Sequence, residues 1–288
     1  MSPSAVPKDT KVLQVLEQDL AGKNALVTGA SRGIGRAIAL HLASRGASII
    51  GTCSSSGSLH HIESLSQAVE SAYQASASCP TPKIVGLPAN LLSADTPQAM
   101  LDAVKREFGG KLDILVNNAA YDEFRPMGQM DAEYVSRSLL GNIQTLVLSV
   151  DFLFREAVFQ PNSRIINISS EMTRGYLPHH SFGLFASTKA AMESLTRTWA
   201  DLFGKNPPTA GTTVNSVLVG GTDTEAFGKT IPDEQKKAII DLIVQKTALS
   251  RFGTAEDAAD VVGLLASKRA GWITGAVVSA GGGSEKVL

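Results

Sequence analysis

Residues 25–40, ALVTGASRGIGRAIAL, restrict the fold of this chain more tightly than any other segment. A short apolar run with a β-branched residue stops at a glycine, and apolar residues at helical spacing begin just beyond it. Gly29, Gly33 and Gly35 occupy the break, spaced G-x-x-x-G-x-G. Glycine permits backbone torsions and close approaches that a side chain blocks. The helix that follows offers free N–H groups and the positive end of its dipole. Strand, glycine turn and helix start in that order, at the first βα turn of the chain, form a pyrophosphate seat. The reading assigns dinucleotide contacts to Gly29, Ser31, Arg32, Gly33, Ile34 and Gly35.

The pattern repeats downstream. Strand-like runs (ASIIGTC, PKIVGLPANL, LDILVNNAA, SRIINISS, TTVNSVLVGG, ITGAVVSAGG) alternate with segments of helical spacing (LHHIESLSQAVESAYQ, DTPQAMLDAVKREFG, AEYVSRSLLGNIQTLVLSVDFLFREAV, FASTKAAMESLTRTWADLF, AEDAADVVGLLAS). Such alternation implies crossover connections and a parallel sheet. Runs such as DILV and RIINI are apolar on both faces, as a sheet covered on both sides requires. The expectation is α/β: a single Rossmann-like doubly wound domain of about seven parallel strands with helices on both faces, over residues 21–288. Residues 1–20 read as an N-terminal extension whose Leu13, Leu16 and Leu20 suggest one or two helical turns. Asp95 or Thr96 is expected to cap the helix that begins there.

Composition narrows the function classes. A formal net charge of -1 gives no electrostatic case for nucleic acid or anionic membrane as partner. Two cysteines, Cys53 and Cys79, make no disulfide framework. No apolar run reaches the roughly 18 residues of a membrane span, and the first residues lack the apolar core of a secretory signal. A cytoplasmic protein is expected. The triplet Asn167-Ile168-Ser169 lies in an apolar strand-like run, so it reads as a chance sequon.

An NAD site carries an acidic residue at the end of the second strand, for the ribose 2′-hydroxyl. Here Cys53 stands in that place, followed by Ser54 and Ser55. Arg32 lies in the first turn. Hydroxyls and a guanidinium suit a 2′-phosphate dianion, and no carboxylate repels it. The reading is NADP(H).

These motifs resemble those of the short-chain dehydrogenase/reductase family, over about residues 22–282. Thr28-Gly29-Ala30-Ser31-Arg32-Gly33-Ile34-Gly35 is similar to its T-G-x-x-x-G-x-G, and Asn117-Asn118-Ala119-Ala120 to its N-N-A-G with the last glycine changed. The resemblance implies cofactor contacts at Asn90, Leu91, Asn118, Ala119, Gly220, Thr222 and Thr224, and an NADP-dependent ketoreductase of the acyl-carrier-protein or fungal secondary-metabolism kind. It also implies a catalytic set. Ser170 closes strand five and would hold the substrate oxygen. Asn142, in the long helix, would help hold a relay water. Lys189 would bind the nicotinamide ribose and lower the pKa of a tyrosine four residues earlier, which protonates the carbonyl.

That tyrosine position is Phe185. Tyr176 precedes Lys189 by thirteen residues with Pro178 between, so it cannot share the lysine's helix turn. Three readings stay open: a reductase whose tyrosine was replaced by phenylalanine, a natural NADP-binding member with non-redox chemistry such as isomerisation or cyclisation, or a nucleotide-binding scaffold. The kept Ser170, Asn142 and Lys189 favour the first.

Other candidates read more plainly. His179-His180 lack a companion cluster with ligand spacing, so no metal site is assigned. Glu171 could reach the pocket as an acid or base but reads better as a loop carboxylate. Residues 221–247 read as the substrate lid, with Asp223 and Glu225 solvated. Cys53 reads as a packed strand-end residue. Tyr121, Phe124, Met127, Met172, Tyr176 and Phe182 suggest a pocket for a bulky, partly aromatic or polycyclic carbonyl or alcohol. Family likeness, and a helix at 139–154 apolar on more than one face, suggest a homotetramer or homodimer.

Overall fold

The computed structural model describes residues 13–76, 79–175, 180–225, 227 and 233–286. Seven parallel strands form one sheet in the order β3-β2-β1-β4-β5-β6-β9. They are β1 (Asn24–Val27), β2 (Ser48–Cys53), β3 (Ile84–Pro88), β4 (Leu112–Asn117), β5 (Phe159–Ser170), β6 (Thr213–Val219) and β9 (Val277–Ala280). A two-stranded pair, β7 (Thr222–Asp223) and β8 (Gly253–Thr254), lies outside it. The helices are α1 (Gly33–Ser44), α2 (Leu59–Ser76), α3 (Thr96–Phe108), α4 (Ala132–Leu139), α5 (Thr145–Arg155), α6 (Gly183–Lys205), α7 (Asp233–Lys246) and α8 (Ala255–Ala266).

Strand alternation divides the core in two. Ala25, Val27, Ile114, Val116, Ile166 and Ile168 pack with α1, α2 and α8. Leu26, Leu115 and Ile165 turn the other way, onto α3, α5 and α6. Both sheet faces are thus dry, which is why these strands read as continuous apolar runs rather than as an alternation. The sequon asparagine, Asn167, is fully buried in β5.

Three local expectations need correction. Residues 13–18 form no helical turn. They run as an irregular strap along α1, with Leu16 N–H donating to Ser44 O (2.9 Å) and Leu20 N–H to Arg45 O (3.0 Å). Leu13 and Val15 pack on the core while Leu16 is exposed, a period of two rather than a helical stripe. Asp95 stands at the N-cap of α3 but its side chain makes no cap bond. Thr96 Oγ1 instead donates to Asn90 O (2.6 Å), tying α3 to the end of β3. The long helix expected across residues 132–158 is interrupted: Leu140–Gln144 form a π-helical turn between α4 and α5. The inserted residue re-aims side chains, and Asn142 lies in this turn.

Candidate active site

The chain runs outward from β1 through β2 to β3, then returns to lay β4 on the other side of β1. This reversal opens a crevice beyond the carboxyl ends of β1 and β4, where doubly wound sheets bind ligands. The crevice is knit by polar contacts. Asn118 Nδ2 donates to Thr28 O (2.9 Å), and the Asn118 and Ala119 N–H groups donate to Thr28 Oγ1 (2.9 and 3.0 Å). Gly29 N–H donates to Thr52 Oγ1 at 2.9 Å. Gly29 has φ +68, and a Cβ on Gly35 would stand 2.2 Å from Gly29 O and 2.4 Å from Asn118 Nδ2. The tight turn and the close helix approach therefore demand these two glycines.

A cleft of about 400 Å³ lies here. Of the residues expected to hold cofactor, Gly29, Ser31, Arg32, Gly33, Ile34, Gly35, Ser54, Asn90, Leu91, Asn118, Ala119 and Thr224 line it together. Four do not line it. Ser55 precedes a short 3-10 turn and meets Ser58 Oγ at 3.5 Å. Gly220 abuts Gly281 and the Glu171 carboxylate. Thr222 is buried and donates to Gly220 O (2.8 Å). Lys189 lies deeper, under β5. The cleft also has walls that sequence reasoning missed, among them Thr52, Ser58, His61 and Glu225. His61 is fixed by Arg36, which donates to its carbonyl (2.7 Å) and to Ser64 Oγ (3.2 Å). The residues that β2 and the turn after it contribute, from Thr52 to His61, carry no carboxylate.

Asn142, Ser170, Phe185 and Lys189 come from the π turn, the end of β5 and one face of α6. Asn142 Oδ1 accepts from Tyr121 N–H (2.7 Å) and its Nδ2 donates to Tyr121 O (3.1 Å), so its amide holds the strand end after β4. Ser170 Oγ accepts from Met172 N–H (3.3 Å), leaving its own proton to donate. Lys189 is 3% exposed, and burial pulls its ammonium down to about 8. It donates to Ile168 O at 2.7 Å and lies 5.6 Å from the Phe185 ring centre. The Phe185 ring meets Phe124 edge-on (5.4 Å), and Phe124 meets Phe182 (4.9 Å). Position 185 thus belongs to an aromatic group.

Glu193, absent from the sequence reading, joins these parts. It lies one turn beyond Lys189 and is 2% exposed. One oxygen accepts from Ser169 Oγ (2.6 Å) and Thr173 Oγ1 (2.9 Å), the other from Arg174 (2.5 Å). The residues either side of Ser170 therefore hang from the helix that carries Phe185 and Lys189. A carboxylate on the inward face of α6 was the signal available. A buried polar chain continues inward: Asn117 Nδ2 donates to Asn167 Oδ1, and Asn167 Nδ2 to Thr196 Oγ1, both at 2.8 Å.

The remaining candidates lie away from the group formed by Ser170, Phe185 and Lys189. Glu171 does not line the cleft; it is buried against the C-terminal segment, where Ser284 Oγ donates to it, and burial raises its pKa. Tyr121 lines the nucleotide cleft rather than the Phe185 group, beneath the Arg137 guanidinium at 5.3 Å. Burial, and then the Glu123 carboxylate bonded to its hydroxyl, push its phenol up. Cys53 is a packed strand end whose Sγ donates to Ser55 O (3.3 Å). Met127 is 82% exposed. Tyr176, His179 and the lid residues 226 and 228–232 lie outside the described residues.

A family model described as enoyl-(acyl carrier protein) reductase matches residues 29–285. The chain belongs to the short-chain dehydrogenase/reductase family, a family of oxidoreductases. It is similar to the short chain dehydrogenase penD of Penicillium thymicola, with 33% identity across 98% of this chain and 99% of that one. It is also similar to the 3-oxoacyl-[acyl-carrier-protein] reductase FabG of Vibrio cholerae, with 33% identity over 92% and 98% of the two chains. Among solved structures, the angucycline C-6 ketoreductase LanV with bound NADP superposes with TM-score 0.80 at 29% identity, covering 94% of this chain and 98% of that one.

Proposed function

We propose that this chain binds NADP(H) in the crevice between β1 and β4 and presents a ketoreductase site to a carbonyl or alcohol substrate, with redox turnover strongly lowered by Phe185. Residues 21–288 act as one cofactor-binding domain, with 221–247 bordering the substrate. Lys189 carries the reading. It is a buried ammonium whose one hydrogen-bond acceptor among the described residues is Ile168 O, although it has three protons to donate. Ribose hydroxyls would take the other two. The glycine cradle fits a pyrophosphate. Arg32, Ser54, Ser58 and His61 fit a 2′-phosphate, in line with the NADP named for LanV.

When bound, NADPH supplies a hydride to the carbonyl carbon. Ser170 holds the substrate oxygen, and Phe185 cannot protonate it. Loss of the acid slows reduction on the order of 10²–10⁴-fold. The Phe124, Phe182 and Phe185 rings favour a partly aromatic or polycyclic substrate. The test is NADPH oxidation over a carbonyl panel. The chain should bind NADPH yet be nearly inert, and Phe185→Tyr should gain turnover by that factor. Equal inertness of both proteins across the panel would remove the reductase reading.

One observation favours a second, non-redox reading: the Phe185 ring is engaged in aromatic packing, as a residue serving substrate fit would be. Conversion of a substrate without NADPH consumption would select it over both the reductase and a non-catalytic scaffold. The exposed Leu139 and Leu148 of the α4–α5 region support a homotetramer or homodimer, measurable by light scattering. A cytoplasmic location accords with the absence, among the described residues, of any helix long and apolar enough to cross a membrane.

A further inference from the structure

The first turn of α1 has no cap of its own. Arg32, at the N-cap, makes no side-chain cap bond, and no acidic residue lies in that turn. Its N-terminal donors are left for an anion. One is taken by a residue 192 positions away: Gly33 N–H donates to Glu225 Oε2 at 3.1 Å. Thr224 supports this placement, its Cβ lying 3.5 Å from where a Gly33 side chain would begin. Both residues border the nucleotide cleft. A carboxylate and a pyrophosphate cannot share one helix terminus, because like charges at hydrogen-bonding distance repel.

We propose that Glu225 is a built-in competitor of the cofactor: its carboxylate occupies the pyrophosphate seat in the nucleotide-free protein and must leave for the nucleotide to bind. The inference rests on the nucleotide reading above and adds to it an autoinhibitory contact. A destination exists. A second hollow of about 330 Å³ adjoins the cleft, bordered by Arg36, Asp223, Glu225, Ala255 and Glu256. The Arg36 guanidinium, one border of that hollow, attracts the Glu225 carboxylate where it sits on Gly33. The contact lowers cofactor affinity below what the glycine loop alone provides.

The test is titration of the full chain with NADPH, ADP and adenosine, comparing wild type with Glu225→Gln, Glu225→Ala and, as a charge control, Asp223→Asn. Removing the competing charge should tighten NADPH and ADP binding roughly 2- to 5-fold, the range of an exposed charge at a helix terminus. Adenosine, which has no phosphate, should bind all four proteins alike, and Asp223→Asn should gain less than about twofold. Wild-type binding with equal or weaker binding by both Glu225 variants overturns the inference and leaves the nucleotide reading standing. An equal gain in Asp223→Asn also overturns it, since net charge would then explain the effect. Binding by none of the four proteins would fell the nucleotide reading and this inference together. Binding by the Glu225 variants alone would support both.

Discussion

Lys189 should make the nucleotide-free protein more stable as the solution becomes more alkaline. Its ammonium is 3% exposed with one acceptor among the described residues, and burial moves its pKa from 10.5 to about 8. Between those values the unfolded chain holds a proton that the folded chain has released. Stability therefore rises with pH through this window and is lowest below about pH 8, where the charge is buried intact. Integrating the shift from about pH 7.5 to about pH 10 gives roughly 2 kcal/mol, at about 1.4 kcal/mol per unit. Other groups titrate in the same range, so the measured quantity is a difference. Urea unfolding of wild type and Lys189→Met is followed at several pH values, without nucleotide. Wild type should gain on the methionine variant by that amount as pH rises. A difference that stays flat, or that moves against wild type, would refute the assignment of a desolvated ammonium to this position.

Gly35→Ala should abolish NADPH binding and lower the melting temperature, because its methyl would stand 2.2 Å from Gly29 O; unchanged affinity in a fluorescence titration would contradict the cradle. Arg32→Ala should weaken NADPH by roughly 10- to 100-fold, the value of about 1.5–3 kcal/mol for a charged hydrogen bond, while sparing NADH. Equal loss for both nucleotides would remove Arg32 from the 2′-phosphate. Glu193→Ala should cost about 1–3 kcal/mol in urea unfolding, since it takes the acceptor from the Ser169 and Thr173 hydroxyls, while the exposed Arg174 can turn to water. Glu193→Gln, which keeps an acceptor, should lose less.

Most of the cofactor crevice was legible because its demands are local. A glycine turn after an apolar run and before a helix can be read from spacing, and Gly29, Gly33 and Gly35 line one cleft, together with Asn118, which the family resemblance implied. Alternating strands and helices likewise announced the parallel sheet. Misreadings arose where local pattern and tertiary contact compete. The Leu13, Leu16 and Leu20 spacing mimics a helix, but Ser44 and Arg45 carbonyls claim the Leu16 and Leu20 amides. The segment around Asn142 scans as one helix because a π turn leaves no mark in hydrophobic periodicity. Thr96 looked like a cap, yet a carbonyl six residues back takes its hydroxyl.

The sequence by itself determined the family, the doubly wound sheet, and a ring without a hydroxyl at position 185, since each rests on residue identity and spacing along one segment. Only the tertiary structure decided which charges meet. Glu225 reaches Gly33 across 192 residues, Glu193 gathers Ser169, Thr173 and Arg174, and Lys189 is desolvated beneath β5. Electrostatic energy depends on distance and dielectric, and neither is a property of position along the chain.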